Sequence, residues 1–128
     1  MKNKSFSETL KEWLESIENK ITYSEYIKIF SDTIDKKILE QEKKQKDLQF
    51  HGGKVTFSVN NSKGMIDFEV EYYYKSQNGS WIKTTEKGCT RITKFDIKDS
   101  ETSDFLSRSE SELLEISIDP PCIKNDKL

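Results

Sequence analysis

Within the stretch MIDFEVEYYYKSQNGSWIKTTEK, carboxylates recur at every second position, as Asp67, Glu69 and Glu71. Successive side chains of a β-strand point to opposite faces, so this spacing places all three acids on one face. Two carboxylates about 5–10 Å apart can serve as acid and base in glycoside hydrolysis, provided a cleft sets their environments apart. Nothing in the surrounding sequence desolvates one of these acids, so an open face is expected. Carboxylates alone would suit Ca²⁺ or Mg²⁺, yet the chain has no DxDxDG loop. His51 is the single histidine and stands before Gly52-Gly53 with no recognisable nucleophile or positioned carboxylate beside it. It reads as a connector rather than an acid–base group. Cys89 and Cys122 lie far apart without CxxC spacing, which points to reduced thiols. GxGxxG, the phosphate-binding GxxxxGK, GxSxG and HExxH are all absent. The sequence therefore predicts no catalytic residue, no cofactor and no metal.

The acids sit on a strand whose other face is apolar: Ile66, Phe68, Val70, Tyr72 and Tyr74. Asn78-Gly79 then gives the strongest short-range hairpin signal. A two-residue loop there puts Gln77 opposite Ser80 and fixes the register of the returning strand. In that register Trp81 joins the buried face near Tyr74, and Ile82 faces outward beside Lys75. Tyr73 faces Thr84, and Glu71 faces Glu86. Like charges paired directly across strands are destabilising, so stability would not select Glu71 opposite Glu86. The expected site is an acidic outer face of Asp67, Glu69, Glu71 and Glu86 around Tyr73, with Lys75 its one cation on these two strands. Tyr72-Tyr73-Tyr74 with Trp81 could suggest a base-stacking platform. Alternation turns Tyr72 and Tyr74 inward and surrounds Tyr73 with acids, which disfavours that reading.

Two helices precede the sheet. Ser5–Glu8 has the form of a capping box, followed by Phe6, Leu10, Trp13, Leu14, Ile17 and Ile21 at helical spacing. Trp13 reads as a core aromatic. Thr22–Glu25 repeats the capping-box form, and Tyr26, Ile27, Phe30, Ile34, Ile38 and Leu39 make a second stripe. From Glu40 the helix is charged without a face to bury, and Glu40–Lys44 and Glu42–Lys46 are well-oriented pairs. His51-Gly52-Gly53 is expected to break this helix. Strands are expected at 54–60, on both arms of the hairpin, and at 89–97 beyond Gly88. A polar link at 99–104 introduces a short helix, and LLEISI gives a last strand stopped by Pro120-Pro121.

The predicted fold is α+β: two N-terminal helices packed on a four- to five-stranded antiparallel sheet, with a short helix before the last strand. A chain of 128 residues suits a single domain, ordered over about 5–118 with a loose tail at 119–128. Leu, Ile, Val and Phe supply 31 of the 128 residues, above the roughly 20% below which chains tend to stay disordered. A net charge of −2 argues against duplex nucleic acid as a partner. The N-terminus lacks the apolar core of a signal peptide, and no run is long enough to span a membrane. A non-enzymatic cytoplasmic protein that binds a basic protein is therefore expected. Its most concrete form is an inhibitor of the immunity or antitoxin kind, acting on a basic toxin or nuclease. The alternatives are an acidic secretion chaperone, and a small-molecule-binding or enzymatic domain using Tyr72, Tyr74 or Trp81 in a pocket between sheet and helices.

Overall fold

Thr22 opens the long helix as its spacing predicts. In the computed structural model, which describes residues 6–119, the Thr22 hydroxyl accepts from the Glu25 backbone N–H at 3.2 Å. The Glu25 carboxylate in turn accepts from Thr22 N–H at 2.9 Å. Two donors without helical partners are satisfied by one reciprocal pair. The resulting helix α2 spans Tyr23–Lys44, preceded by α1 over Phe6–Ser16. Then come β1 (Leu48–Asn60), β2 (Met65–Ser76), β3 (Trp81–Arg91), α3 (Ser100–Leu106) and β4 (Leu114–Ile118). The strands form one antiparallel sheet in the order β3-β2-β1-β4. This is the expected α+β arrangement, with the two helices first and a short helix before the last strand. The expected cap at Ser5, the Pro120-Pro121 stop, Cys122 and the tail beyond Asp119 lie outside the described residues.

Tyr26, Phe30, Ile34 and Ile38 recur every fourth residue, so α2 presents one apolar stripe, and all four are buried. They meet the inward residues Val55, Phe57 and Val59 of β1 and Ile66, Phe68 and Val70 of β2 in one cluster. Phe30 is the hub, edge-on to Phe57 at 5.1 Å and to Phe68 at 4.8 Å. Such aromatic pairs add to the stabilisation from area burial alone. Tyr26 extends the cluster to Phe95 at 4.9 Å, and its hydroxyl shares a 2.7 Å hydrogen bond with buried Thr90. The helix α3 is capped by Asp99, whose carboxylate accepts from Thr102 N–H at 3.0 Å. The Thr102 hydroxyl accepts from Tyr23 N–H at 2.7 Å, which ties α3 to the start of α2. Trp13 departs from expectation, because 37% of it is exposed while Leu10 and Leu14 are buried.

The first helix ends at Ser16, short of its expected stripe, and Ile21 instead forms an extended bridge with Phe95. Two strand boundaries also differ from the sequence reading for physical reasons. β1 begins at Leu48 and runs through His51-Gly52-Gly53, with the pairing to β2 shifting between Phe50 and Gly53. The glycines accommodate a bulge inside the strand instead of marking a break before it. A Cβ on Gly53 would lie 2.1 Å from the Glu71 carbonyl oxygen, so the strands can approach only there without a side chain. In the other case, β3 continues through Gly88 to Arg91 and turns into a 3₁₀ segment at Ile92–Lys94. No separate strand occupies 89–97. Its weak alternation reflects a turn that delivers Phe95 into the core.

Candidate functional site

The hairpin that positions the acids is closed by three residues, Gln77, Asn78 and Gly79. Ser76 N–H donates to Ser80 O at 2.9 Å, and Gly79 N–H donates to Ser76 O at 3.0 Å. Gly79 takes φ 92°, while no non-glycine residue among those described has a positive φ. A two-residue type I′ loop would need Asn78 in that region too. Asn78 instead uses its side-chain oxygen to accept from Ser80 N–H at 2.9 Å. This loop changes the register by one residue, and a one-residue slip turns every side chain of β3 to the other face.

The predicted site is reassembled accordingly. Tyr73 pairs with Lys83, Glu71 with Thr85, Glu69 with Lys87, and Asp67 with Cys89. Glu86 pairs with Val70, which puts it on the helix-covered face and away from Asp67, Glu69 and Glu71. The expected Glu71–Glu86 opposition does not occur. On its own face Glu86 accepts from the Tyr72 hydroxyl at 2.9 Å and pairs with Lys37 at 3.5 Å. Asp67, Glu69, Glu71 and Tyr73 do share the outer face. They form a central acidic column, flanked by Lys83, Lys87 and Arg91 on β3 and by Lys54 on β1. The face is banded in charge, not uniformly acidic, and Lys75 is far from its sole cation.

Within the column the acids differ. The Glu71 carboxylate accepts from the Tyr73 hydroxyl at 2.7 Å and lies 3.8 Å from Lys83. The Tyr73 hydrogen bond, helped by Lys83 and Lys54, holds Glu71 below the usual carboxylate range. The same bond raises the Tyr73 phenol. Lys54 reaches Glu115 of β4 at 3.1 Å. Asp67 is exposed and Glu69 half-buried, so both can meet a partner's charge with little rearrangement.

The register also moves Trp81. It pairs with Lys75 on the outer face and is 61% exposed, against the expectation that it lines the core. Its ring is held in place. Lys75 Nζ stands 5.3 Å from the ring centroid, within cation–π range. The His51 ring lies edge-on at 5.2 Å with planes 74° apart. His51 reaches this position because the bulge in β1 turns it outward beside the hairpin end. Beside this corner lies a hollow of about 270 Å³, lined by Lys46, Gln49, His51, Lys75 and Gln77 among others. Ile82 lies opposite Tyr74 on the helix side of the sheet and not beside Lys75, and it is 40% exposed there.

Tyr72, Tyr74 and Trp81 do not converge on a pocket. The tyrosines are buried and stacked 6.2 Å apart on one face, with Trp81 on the other. No group of three or more His, Cys, Asp or Glu side chains gathers as metal ligands among the described residues. No described helix is long and apolar enough to cross a membrane. The part that sequence reasoning missed is the Trp81–His51–Lys75 corner. Its signal was present in the alternation of Trp81, Lys83, Thr85, Lys87, Cys89 and Arg91, which once shifted by one sets Lys87 against Glu69 and removes the Glu71–Glu86 opposition. In comparisons with known proteins, no family model, no curated protein and no solved structure matches this chain.

Proposed function

We propose that this protein works by binding another protein in the cytoplasm, without chemistry of its own, through the outer face of its sheet. Trp81 carries this reading: a 61% exposed ring, buttressed by His51 and Lys75, on a face left to solvent. Binding hot spots are enriched in Trp, Tyr and Arg, and Trp81, Tyr73 and Arg91 all lie on this face. Charge supplies the orientation. The column of Asp67, Glu69 and Glu71 between lysines fits a partner whose basic ridge is bordered by acids, and such complementarity mainly speeds and directs encounter. The most concrete version is an inhibitor of the immunity or antitoxin kind. The acidic column would then meet the Lys and Arg groups with which a basic toxin or nuclease holds its own substrate.

The test is affinity capture of the partner from source cells, followed by titration of the purified pair. Trp81→Ala is expected to weaken binding by roughly thirtyfold, the size of a hot-spot loss near 2 kcal/mol. Asp67→Lys with Glu69→Lys is expected to slow association and flatten its salt dependence. Glu86→Gln, on the opposite face, should leave binding intact. Unchanged affinity in Trp81→Ala with a native circular-dichroism spectrum would sink the docking reading. A captured partner that stays fully active while bound would remove the inhibitor version alone.

A further inference from the structure

At the end of β3 far from Trp81, a cleft of about 420 Å³ opens between α1 and the strand. Protein interiors are packed to crystal-like density, and voids larger than a water molecule are few. A cleft of this size falls instead in the roughly 300–1,000 Å³ range of small-molecule sites. Its apolar lining is Met65, half-buried, over Leu10 and Leu14, one helical turn apart and almost wholly buried. The remaining lining includes the cations Lys11, Arg91 and Lys94 against the single carboxylate of Glu15. That balance is opposite in sign to the whole chain, whose net charge is −2, so it is a local arrangement and not a consequence of composition. Lys94 is also fixed in place, because its Nζ donates to Ile17 O at 2.7 Å. Apolar lining beside a group of cations is what a small molecule with an apolar body and one acidic end requires. Arg91 adds a planar fork of donors suited to a carboxylate or sulfonate.

We infer that this cleft binds a small amphipathic anion, its apolar body against Leu10, Leu14 and Met65 and its acidic group at Arg91 and Lys11. The cleft lies at the opposite end of β3 from Trp81, and Arg91 and Cys89, which also belong to the outer face, are where the two regions meet. The test uses the full chain and the anionic dye 8-anilinonaphthalene-1-sulfonate, followed by its emission. The dye should bind a single class of site and be displaced by octanoate but not by octylammonium, which has the same tail and the opposite charge. Lys11→Glu with Arg91→Glu changes two exposed side chains and should weaken the dye by at least about tenfold, the loss of one charge-assisted contact. Trp81→Ala should leave it unchanged. An independent readout is Cys89, an exposed thiol in the cleft lining. In a Cys122→Ser background its alkylation should slow with octanoate and not with octylammonium. Displacement by both amphiphiles alike, affinity indifferent to the charge reversal, or absence of saturable binding would each overturn the inference.

Discussion

Trp81 decides how the outer face is read, and its energetics can be separated from those of the core. An exposed ring contributes to folding mainly through its contact with Lys75, so Trp81→Ala should change stability by less than about 1 kcal/mol. Phe30 is the opposite case. It is 2% exposed and touches rings from both central strands, so Phe30→Ala should cost about 3–5 kcal/mol. Urea denaturation of the two variants checks the contrast. A loss at Trp81 comparable to that at Phe30 would make the tryptophan part of the structural scaffold and remove the reason to treat it as an anchor. Glu86 shows the same separation for charge. It is tied to Tyr72 and Lys37 on the helix side, so it serves the packing of α2 on the sheet and not the outer face.

Most elements were legible because their signals are local. The Thr22–Glu25 box, the four-residue stripe of α2 and the alternation along β2 each depend on a few neighbouring residues and an exact period. The register of β3 was not legible in that way, because it hangs on one decision: whether Asn78 joins Gly79 at positive φ. The dipeptide favours the tighter loop, yet the alternative brings Lys87 opposite Glu69 and Lys83 opposite Tyr73 while separating Glu71 from Glu86. The opposed glutamates of the tighter loop were the clue, since cross-strand charge is part of what selects a register. The acids of β2 were therefore placed correctly while their β3 neighbours, Glu86 and Trp81, were each assigned to the wrong face. The bulge in β1 was hidden for a related reason: a glycine pair looks the same whether it ends an element or lets two strands come close. These two glycine sites should respond differently to alanine. At Gly53 the new Cβ would meet Glu71 backbone at 2.1 Å, a clash inside a paired ladder, and a loss of about 1–3 kcal/mol is expected. At Gly79 nothing lies within 4 Å, so only the left-handed backbone is strained, at about 1 kcal/mol. Denaturation midpoints should fall further for Gly53→Ala than for Gly79→Ala, and the reverse order would contradict the bulge.

Across the whole molecule the tyrosines couple stability to alkaline pH. Burial raises Tyr26 and Tyr72 well above the ordinary value near 10, and the neighbouring Glu86 charge adds to the effect at Tyr72. Burial, then Glu42 and Glu86, pushes Tyr74 up to about 12. All three belong to the core under the helices, so their phenols must stay protonated for the fold to persist. The sign follows from proton linkage. Below pH 10 both folded and unfolded chains hold these protons and stability does not depend on them. Above it the unfolded chain releases protons that the folded chain retains, so stability falls as pH rises from 10 through the folded values. Each such tyrosine removes about 1.4 kcal/mol per pH unit in that window. Three acting together would exhaust a typical stability of about 5–15 kcal/mol within a few units. The protein should therefore hold its circular-dichroism signal to about pH 10 and then unfold cooperatively, with phenolate absorbance of the buried tyrosines appearing in the same transition. Tyr74→Phe removes one of the three groups while keeping the ring that packs on Phe50 at 5.7 Å, and should move the transition to higher pH. Tyrosine ionisation completed near pH 10 with the native spectrum retained would show that solvent reaches these phenols, and that the helix-covered face is open where the structure has it closed.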